Sequence, residues 1–268
     1  MIKLNGNIII DQNHFPDHTL LLKINNQQFD YRSTISYEWD YENDSELFTL
    51  ICLRKHFAKY SHHQLIMPYI PHARMDRVKT VEDVFTLKYF CEVINSLDFD
   101  EVFVLDPHSN VSTALLNNVV IMEIGEYIQN AIQEIPNDPV FYFPDEGAMK
   151  RYSEHAPGAY AFGIKKRDWA TGQIQGIQIQ NEEVVKGKDI LIVDDICSKG
   201  GTFYYSAKAL KEAGAANIYL YVSHLEDSIF DGDLWKNMTT AETPLIKKVF
   251  TANPLFVLGG GVTQIKKI

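Results

Sequence analysis

Chemistry concentrates in Asp189–Phe203, DILIVDDICSKGGTF. An apolar run, ILIV, ends at two adjacent acids, and Gly200-Gly201-Thr202 then opens a stretch with helical spacing. In open α/β sheets, ligands collect at the carboxyl ends of strands. Unpaired N–H groups and the dipole at a helix start favour a phosphate there. Glycines let the backbone come close to the anion, Ser198 and Thr202 add hydroxyl donors, and Lys199 lies in the same loop. Two carboxylates repel a phosphate, so Asp194 and Asp195 call for a second ligand group. Vicinal sugar hydroxyls supply it, because a carboxylate accepts strong hydrogen bonds from them. Phosphate at one end and a diol at the other describe ribose 5-phosphate, with Asp194, Asp195, Ser198, Lys199, Gly200, Gly201 and Thr202 as its site. The bland reading is a tight strand–helix turn with solvated acids. A lone Gly-Gly would favour it, but the ordered set of strand, acid pair, Ser, Gly-Gly-Thr and helix argues against it. The loop is not of the Walker type, in which Lys follows the last glycine; here Lys199 precedes the glycines. No G-x-G-x-x-G fingerprint occurs.

Such a loop needs a sheet to carry it. Apolar runs of strand length recur at Gly6–Ile10, Thr19–Ile24, Gln64–Tyr69, Glu101–Leu105, Val119–Glu123, Val140–Phe143, Asp189–Val193 and Asn217–Ser223. Several are continuous rather than alternating, the pattern of parallel strands buried on both faces. Helical spacing fills Asn43–Lys59, with Asn43 and Asp44 as caps, and also Val81–Leu97 and Thr202–Ala213, which Gly214 stops. Strands alternating with helices predict an α/β fold. Three strands run into acid-bearing loops, at Asp106-Pro107-His108, Asp145-Glu146-Gly147 and Asp194-Asp195, which suits two related halves. The sharpest internal boundary signal is Glu134–Pro139, EIPNDP. The expected domains are 1–136 and 137–268.

Composition excludes several classes. The 268 residues carry a net charge of -10 at pH 7, which argues against nonspecific binding to nucleic acid or anionic membranes. No apolar stretch approaches the ~20 residues of a membrane span. The N-terminal MIKLNGNIIIDQNHF is too polar for a signal peptide. Cys52, Cys91 and Cys197 show neither disulfide nor zinc spacing, which points to free thiols in a reducing cytoplasm.

With these residues in view, the chain resembles the type I phosphoribosyltransferase fold through VDDICSKGGTF. It resembles more narrowly the ribose-phosphate pyrophosphokinase family. Pro68–Arg77, PYIPHARMDR, is similar to that family's ATP-binding stretch, and Asp106-Pro107-His108-Ser109 to its metal and nucleotide segment. Phe143–Arg151, FPDEGAMKR, and Ile164–Arg167, IKKR, resemble its S-P-D-x-G segment and the basic triplet of its catalytic flexible loop. Phe15-Pro16-Asp17 resembles an N-terminal F-x-(D/N)-x-E stretch. The motifs follow the family's order over nearly the whole chain. Departures are Met75 in place of Gln, Thr19 in place of Glu, Ser198 in place of an acid, and Trp169 after the basic triplet.

The resemblance implies two phosphoribosyltransferase-like halves. It also implies transfer of pyrophosphate from ATP to the 1-hydroxyl of ribose 5-phosphate, giving phosphoribosyl pyrophosphate and AMP, in a homo-oligomer (dimer or hexamer). ATP would meet Phe15, Asp17, Arg74, Met75, Arg77 and His108. Arg grips phosphate with two donors, although Arg77 reads equally well as an ion pair with Asp76 or Glu82. Mg²⁺ would be held by His108 and Asp145, and its preference for oxygen favours Asp145. Taken alone, His108 would read as a loop cap. Lys165 and Arg167 would stabilise charge from a loop closing over ATP, with Lys166 the substitute for Lys165 if the alignment slips by one. Asp168–Gly176 reads as mobile, and His62-His63 as a solvated loop. The alternatives are a phosphoribosyltransferase that consumes phosphoribosyl pyrophosphate and a catalytically inactive regulatory relative.

Overall fold

The computed structural model describes residues 1–6, 8–9, 11–24, 33–167, 174–255 and 261–265. The chain divides into two units, Met1–Glu123 and Ile124–Ile268. The boundary lies ahead of the position expected from EIPNDP. The reason is a helix, Gly125–Gln133, that buries Ile128 and Ala131. The residue after it, Glu134, forms a 2.9 Å ion pair with Lys248 of the second unit.

The first unit contains β1 (Ile2–Leu4), β2 (Ile8–Ile9), β3 (Asp11–His14), β4 (Leu20–Lys23), β5 (Thr34–Trp39), α1 (Ser45–His56), β6 (His62–Ile66), α2 (Thr86–Ser96), β7 (Glu101–Leu105), α3 (Asn110–Leu115) and β8 (Val119–Met122). Its sheet runs β2-β1-β5-β6-β7-β8, and β3 and β4 form a separate hairpin. The four strands from β5 to β8 are parallel, each joined to the next through a helix, and β1 lies antiparallel on β5. Helix α2 forms because Leu87, Phe90, Cys91 and Ile94 fall at i, i+3, i+4 and i+7 and are all buried, the stripe a sheet-covering helix needs. It starts at Thr86 rather than at Val81. Asp83 takes the N–H groups of Lys79 and Thr80 at 2.7 and 2.8 Å, a local turn that competes with helix. His62 and His63 lie on β6, not in a solvated loop. His63 is buried, with Nδ1 3.2 Å from the Tyr37 hydroxyl and Nε2 3.2 Å from the Tyr60 carbonyl.

The second unit contains α4 (Gly125–Gln133), β9 (Val140–Phe143), α5 (Glu146–Tyr152), β10 (Ala161–Arg167), β11 (Ile174–Gln180), β12 (Asp189–Cys197), α6 (Gly201–Glu212), β13 (Asn217–Leu225), α7 (Asp233–Thr240), β14 (Lys248–Pro254) and β15 (Val262–Gln264). The sheet order is β11-β10-β9-β12-β13-β14-β15. All neighbours are parallel except β10 and β11, which form an antiparallel hairpin. Strands β12 and β13 are buried along nearly their whole length, as their unbroken apolar runs require. Helix α6 covers the sheet with Phe203, Ser206, Ala207 and Leu210, again at i, i+3, i+4 and i+7. Gly214 ends its last turn with φ +89°, as a helix-stopping glycine should. Among the described residues no helix is long and apolar enough to cross a membrane.

Candidate functional site

From β9 the chain moves to β10 and β11 on one side. It then returns to β12 on the other side of β9 and continues outward through β13, β14 and β15. The strand order therefore reverses between β9 and β12. Beyond the carboxyl ends of two such strands the connecting segments part and leave a crevice, the ligand position of open parallel sheets. Asp145 follows β9, and the acid pair Asp194–Asp195 lies near the end of β12, so the sequence-expected carboxylates of this unit meet at its switch point.

Asp145 caps α5. Its Oδ1 accepts from the backbone N–H groups of Gly147 and Ala148 at 3.0 and 3.1 Å, which fixes the side chain at a helix start. The acid pair is part of a strand rather than of a loop. Asp194 pairs in register with Val222, and Cys197 with Leu225. The two acids differ in their surroundings. Asp194 is half-buried, and its Oδ1 accepts from the Asp195 N–H at 3.0 Å. Burial pushes its carboxyl well above the ordinary 3.8, and the charges of Asp195 and then Asp145 push it further. Asp195 is buried, and its Oδ2 lies 3.6 Å from the Arg151 guanidinium of α5. Arg151 is one candidate-site residue that no local motif singles out. It stood inside the quoted FPDEGAMKR segment, but only folding brings α5 beside β12.

Ser198 and Lys199 lead into α6, whose N-cap is Gly200. Gly200 has φ +74°, and a Cβ there would also meet Leu234 Cδ2 at 2.7 Å; only glycine relieves both strain and overlap. With glycine at the N-cap, no side chain caps the first turn of α6, so its N–H groups are left for an external acceptor. The loop is held from behind by Gly232, where an added Cβ would stand 1.8 Å from the Lys199 carbonyl oxygen. A methyl group cannot be absorbed at that distance without moving the loop. We therefore expect Gly232→Ala to lower the thermal midpoint by the equivalent of about 1–3 kcal/mol. Calorimetric unfolding checks it.

Lys165, Lys166 and Arg167 fall on β10 rather than in a loop. Opposite them in the hairpin are Ile177, Gly176 and Ile174, with a register shift between Lys166 and Arg167. Their side chains and residues 168–173, which include Trp169 and most of the stretch read as mobile, lie outside the described residues.

In the first unit Arg74, Met75, Arg77 and His108 follow the carboxyl ends of β6 and β7. The two exits are tied together, because Met67 N–H donates to Phe103 O at 2.9 Å and Leu105 N–H to Pro68 O at 3.0 Å. Arg74 is exposed at the end of a turn that buries Pro71 and Ala73, and Met75 is half-buried just after it. Arg77 clasps Asp76 with two bonds, Nε to Oδ1 at 2.8 Å and a terminal nitrogen to Oδ2 at 3.2 Å. That contact holds the buried Asp76 carboxyl below the usual carboxylate range, aided by Ser109 and His108. Of the two readings left open for Arg77, this is the ion pair with Asp76. Asp106, two residues before His108, has φ +42° and is buried. Such strain costs on the order of 1–3 kcal/mol and clusters at working sites. Phe15 is 49 % exposed. Asp17 is engaged by Thr19, whose hydroxyl and N–H donate to its Oδ1 at 2.7 and 3.0 Å and hold its carboxyl below the ordinary value. Arg74, Met75, Arg77 and His108 thus follow β6 and β7 of the first unit, Phe15 and Asp17 lie in the turn of its β3–β4 hairpin, and Asp145 belongs to the second unit.

Comparison with known proteins agrees with this layout. The phosphoribosyl transferase domain family matches residues 150–252. The ribose-phosphate pyrophosphokinase of Saccharolobus solfataricus is 25% identical over 222 residues, 81% of this chain and 76% of that protein. The enzyme of the same name from Sulfurisphaera tokodaii is 26% identical, covering 71% of this chain and 64% of its own length. The one from Vibrio cholerae is 27% identical, covering 75% and 65%. The crystal structure of phosphoribosylpyrophosphate synthetase from Mycobacterium smegmatis superposes with a TM-score of 0.76 at 16% identity, over 96% of this chain and 86% of that one. In sequence the chain is similar to ribose-phosphate pyrophosphokinases, its fold is similar to that of a phosphoribosylpyrophosphate synthetase, and residues 150–252 match the phosphoribosyl transferase domain family.

Proposed function

We propose that the chain is a ribose-phosphate pyrophosphokinase. It transfers the pyrophosphoryl group of ATP to the 1-hydroxyl of ribose 5-phosphate and releases AMP, as a step of nucleotide biosynthesis. It works in the cytoplasm as a homo-oligomer, dimer or hexamer, with neither nucleic acid nor membrane as partner. The observation that carries this reading is the acid pair at the β9/β12 switch point, followed at once by an uncapped helix start. Asp194 and Asp195 accept from the sugar diol, and the N–H groups after Gly200, with Lys199 and Thr202, take the 5-phosphate. Arg74, Met75, Phe15 and Asp17 serve the nucleotide; Arg77 does so through its grip on Asp76.

The donor set suits Mg²⁺. Burial raises the Asp194 carboxyl, and the charges of Asp195 and then Asp145 raise it further, a repulsion that a divalent cation would relieve. Among the described residues no three His, Cys, Asp or Glu side chains converge as a ready-made metal site. Asp145 on the second unit and His108 on the first are the residues that would each ligate Mg²⁺, with water and substrate phosphates completing its shell, and bound Mg²⁺ would neutralise phosphate charge. Lys165 and Arg167 bring cations to the transferring group, whose catalysis is mainly positioning and charge stabilisation.

The deciding assay is purified protein with ATP, ribose 5-phosphate and Mg²⁺, followed for AMP and phosphoribosyl pyrophosphate. Both products should appear together, Asp145→Ala and His108→Ala should raise the Mg²⁺ needed for turnover, and Arg74→Ala should weaken ATP binding. Turnover that persists in excess chelator removes the metal from the reading. Consumption of phosphoribosyl pyrophosphate with no release of AMP replaces the reading with a phosphoribosyltransferase. Failure of every assay in a folded protein that still binds both substrates marks an inactive relative.

A further inference from the structure

The segment after β13 reaches back to the sugar-phosphate loop and sets the polarity of one of its groups. Glu226 N–H donates to the Cys197 carbonyl at 2.9 Å. The Ser228 hydroxyl donates to Glu226 Oε2 at 3.1 Å, and it also lies 2.8 Å from the Ser198 hydroxyl. A hydroxyl has one proton to give, and a carboxylate can only accept. With the Ser228 proton committed to Glu226, the proton of the Ser198–Ser228 contact belongs to Ser198. Ser198 therefore points its only proton away from any ligand and offers lone pairs. The backbone just after Ser198 is closely backed, by Gly232 at the Lys199 carbonyl and by Leu234 at Gly200.

We propose that Glu226, acting through Ser228, is a positioning residue that fixes Ser198 as a hydrogen-bond acceptor for a sugar hydroxyl rather than as a donor to the phosphate. This rests on the ribose 5-phosphate reading of the loop and amends it. The phosphate is then gripped by the backbone at Gly200–Thr202, and Ser198 belongs with Asp194 and Asp195 on the sugar side. Glu226→Gln should reverse the polarity, since an amide can donate to Ser228 and free the Ser228 proton for Ser198.

The test uses the full chain and two probes, ribose 5-phosphate and inorganic phosphate, each titrated by calorimetry and supported by steady-state kinetics. Ser228→Ala and Glu226→Gln should each weaken ribose 5-phosphate about 10-fold, the scale of one hydrogen bond to a ligand. Inorganic phosphate affinity should stay unchanged or tighten. KM for ribose 5-phosphate should rise while kcat moves little, and Ser228→Thr should restore the wild-type values. Equal losses for both probes would show Ser198 donating to phosphate and overturn the proposal, as would unchanged binding of both in folded variants. Glu226→Gln keeps the side chain's shape, so it answers the question even if Ser228→Ala fails to fold. Wild-type protein that binds phosphate but not ribose 5-phosphate would overturn the sugar reading together with this proposal. Wild-type binding of both, with no effect of either variant, would overturn this proposal alone.

Discussion

Asp194→Asn should stabilise the protein at pH 7 while it weakens ribose 5-phosphate binding. The carboxyl is raised above 3.8 by burial first, then by Asp195, and by Asp145 last. A carboxyl with a raised folded pKa binds its proton more tightly in the native state than in the unfolded one. Stability is then greatest below the unfolded value and falls as pH climbs from there through the folded value. The amide removes that loss. The thermal midpoint of Asp194→Asn should exceed wild type at pH 7, and the gap should close as pH drops below about 4. Binding moves the other way. A sugar hydroxyl held by a charged acceptor contributes about 1.5–3 kcal/mol, so replacing Asp194 and Asp195 together should weaken ribose 5-phosphate by at least 10-fold. Asp195→Asn alone also leaves Arg151 facing an amide, so it should destabilise rather than stabilise. Differential scanning calorimetry across pH, paired with titration calorimetry, reads both halves. A double variant with wild-type affinity would remove the acid pair from the sugar site.

Lys165→Ala and Arg167→Ala should each lower kcat by ~10²–10³, the usual cost of removing one oriented charge-stabilising group. Negative charge moves onto the leaving AMP as the bond to the β-phosphorus breaks, and cations delivered at that moment act on the transition state more than on bound substrate. Affinities for ATP and ribose 5-phosphate should change much less than kcat. If both cations serve one closed arrangement, the double variant should lose less than the product of the single losses. Both residues lie in the last three positions of β10, paired to β11 on one side. Near-normal kcat in both variants would make the pair ordinary strand surface. A loss confined to KM would make them binding groups.

Much of this architecture is legible in the residues, for reasons that can be named. Strands β7, β9, β12 and β13 are unbroken apolar runs, and a strand buried on both faces leaves little else to write. Strand β12 nevertheless runs past Val193 to Cys197. Two acids look like the end of a strand, and only the ladder to β13 shows that they are inside it. Strand β5, TISYEW, was missed because alternate positions are polar and its burial alternates too. The IKKR segment reads as part of a flexible loop through its resemblance alone, and pairing with β9 and β11 instead makes it strand β10. The site residues set by local motif, Asp145, Gly200 and the acid pair, were visible. Arg151, Glu226, Ser228 and Gly232 were not, since each acts on a partner that lies elsewhere in sequence and no spacing rule connects them.

The acid pair belongs to a ladder that runs from Asp189 against Asn217 to Cys197 against Leu225. Backbone amides so placed exchange with deuterium only when a large part of the unit opens. The two carboxylates consequently gave up their freedom when the chain folded, and little ordering remains for the moment of association. Such acceptors cannot follow a ligand that arrives differently shaped. A pentose epimer with one hydroxyl inverted would meet a fixed pair it cannot satisfy, so stereochemical fidelity at this position is inherited from the sheet.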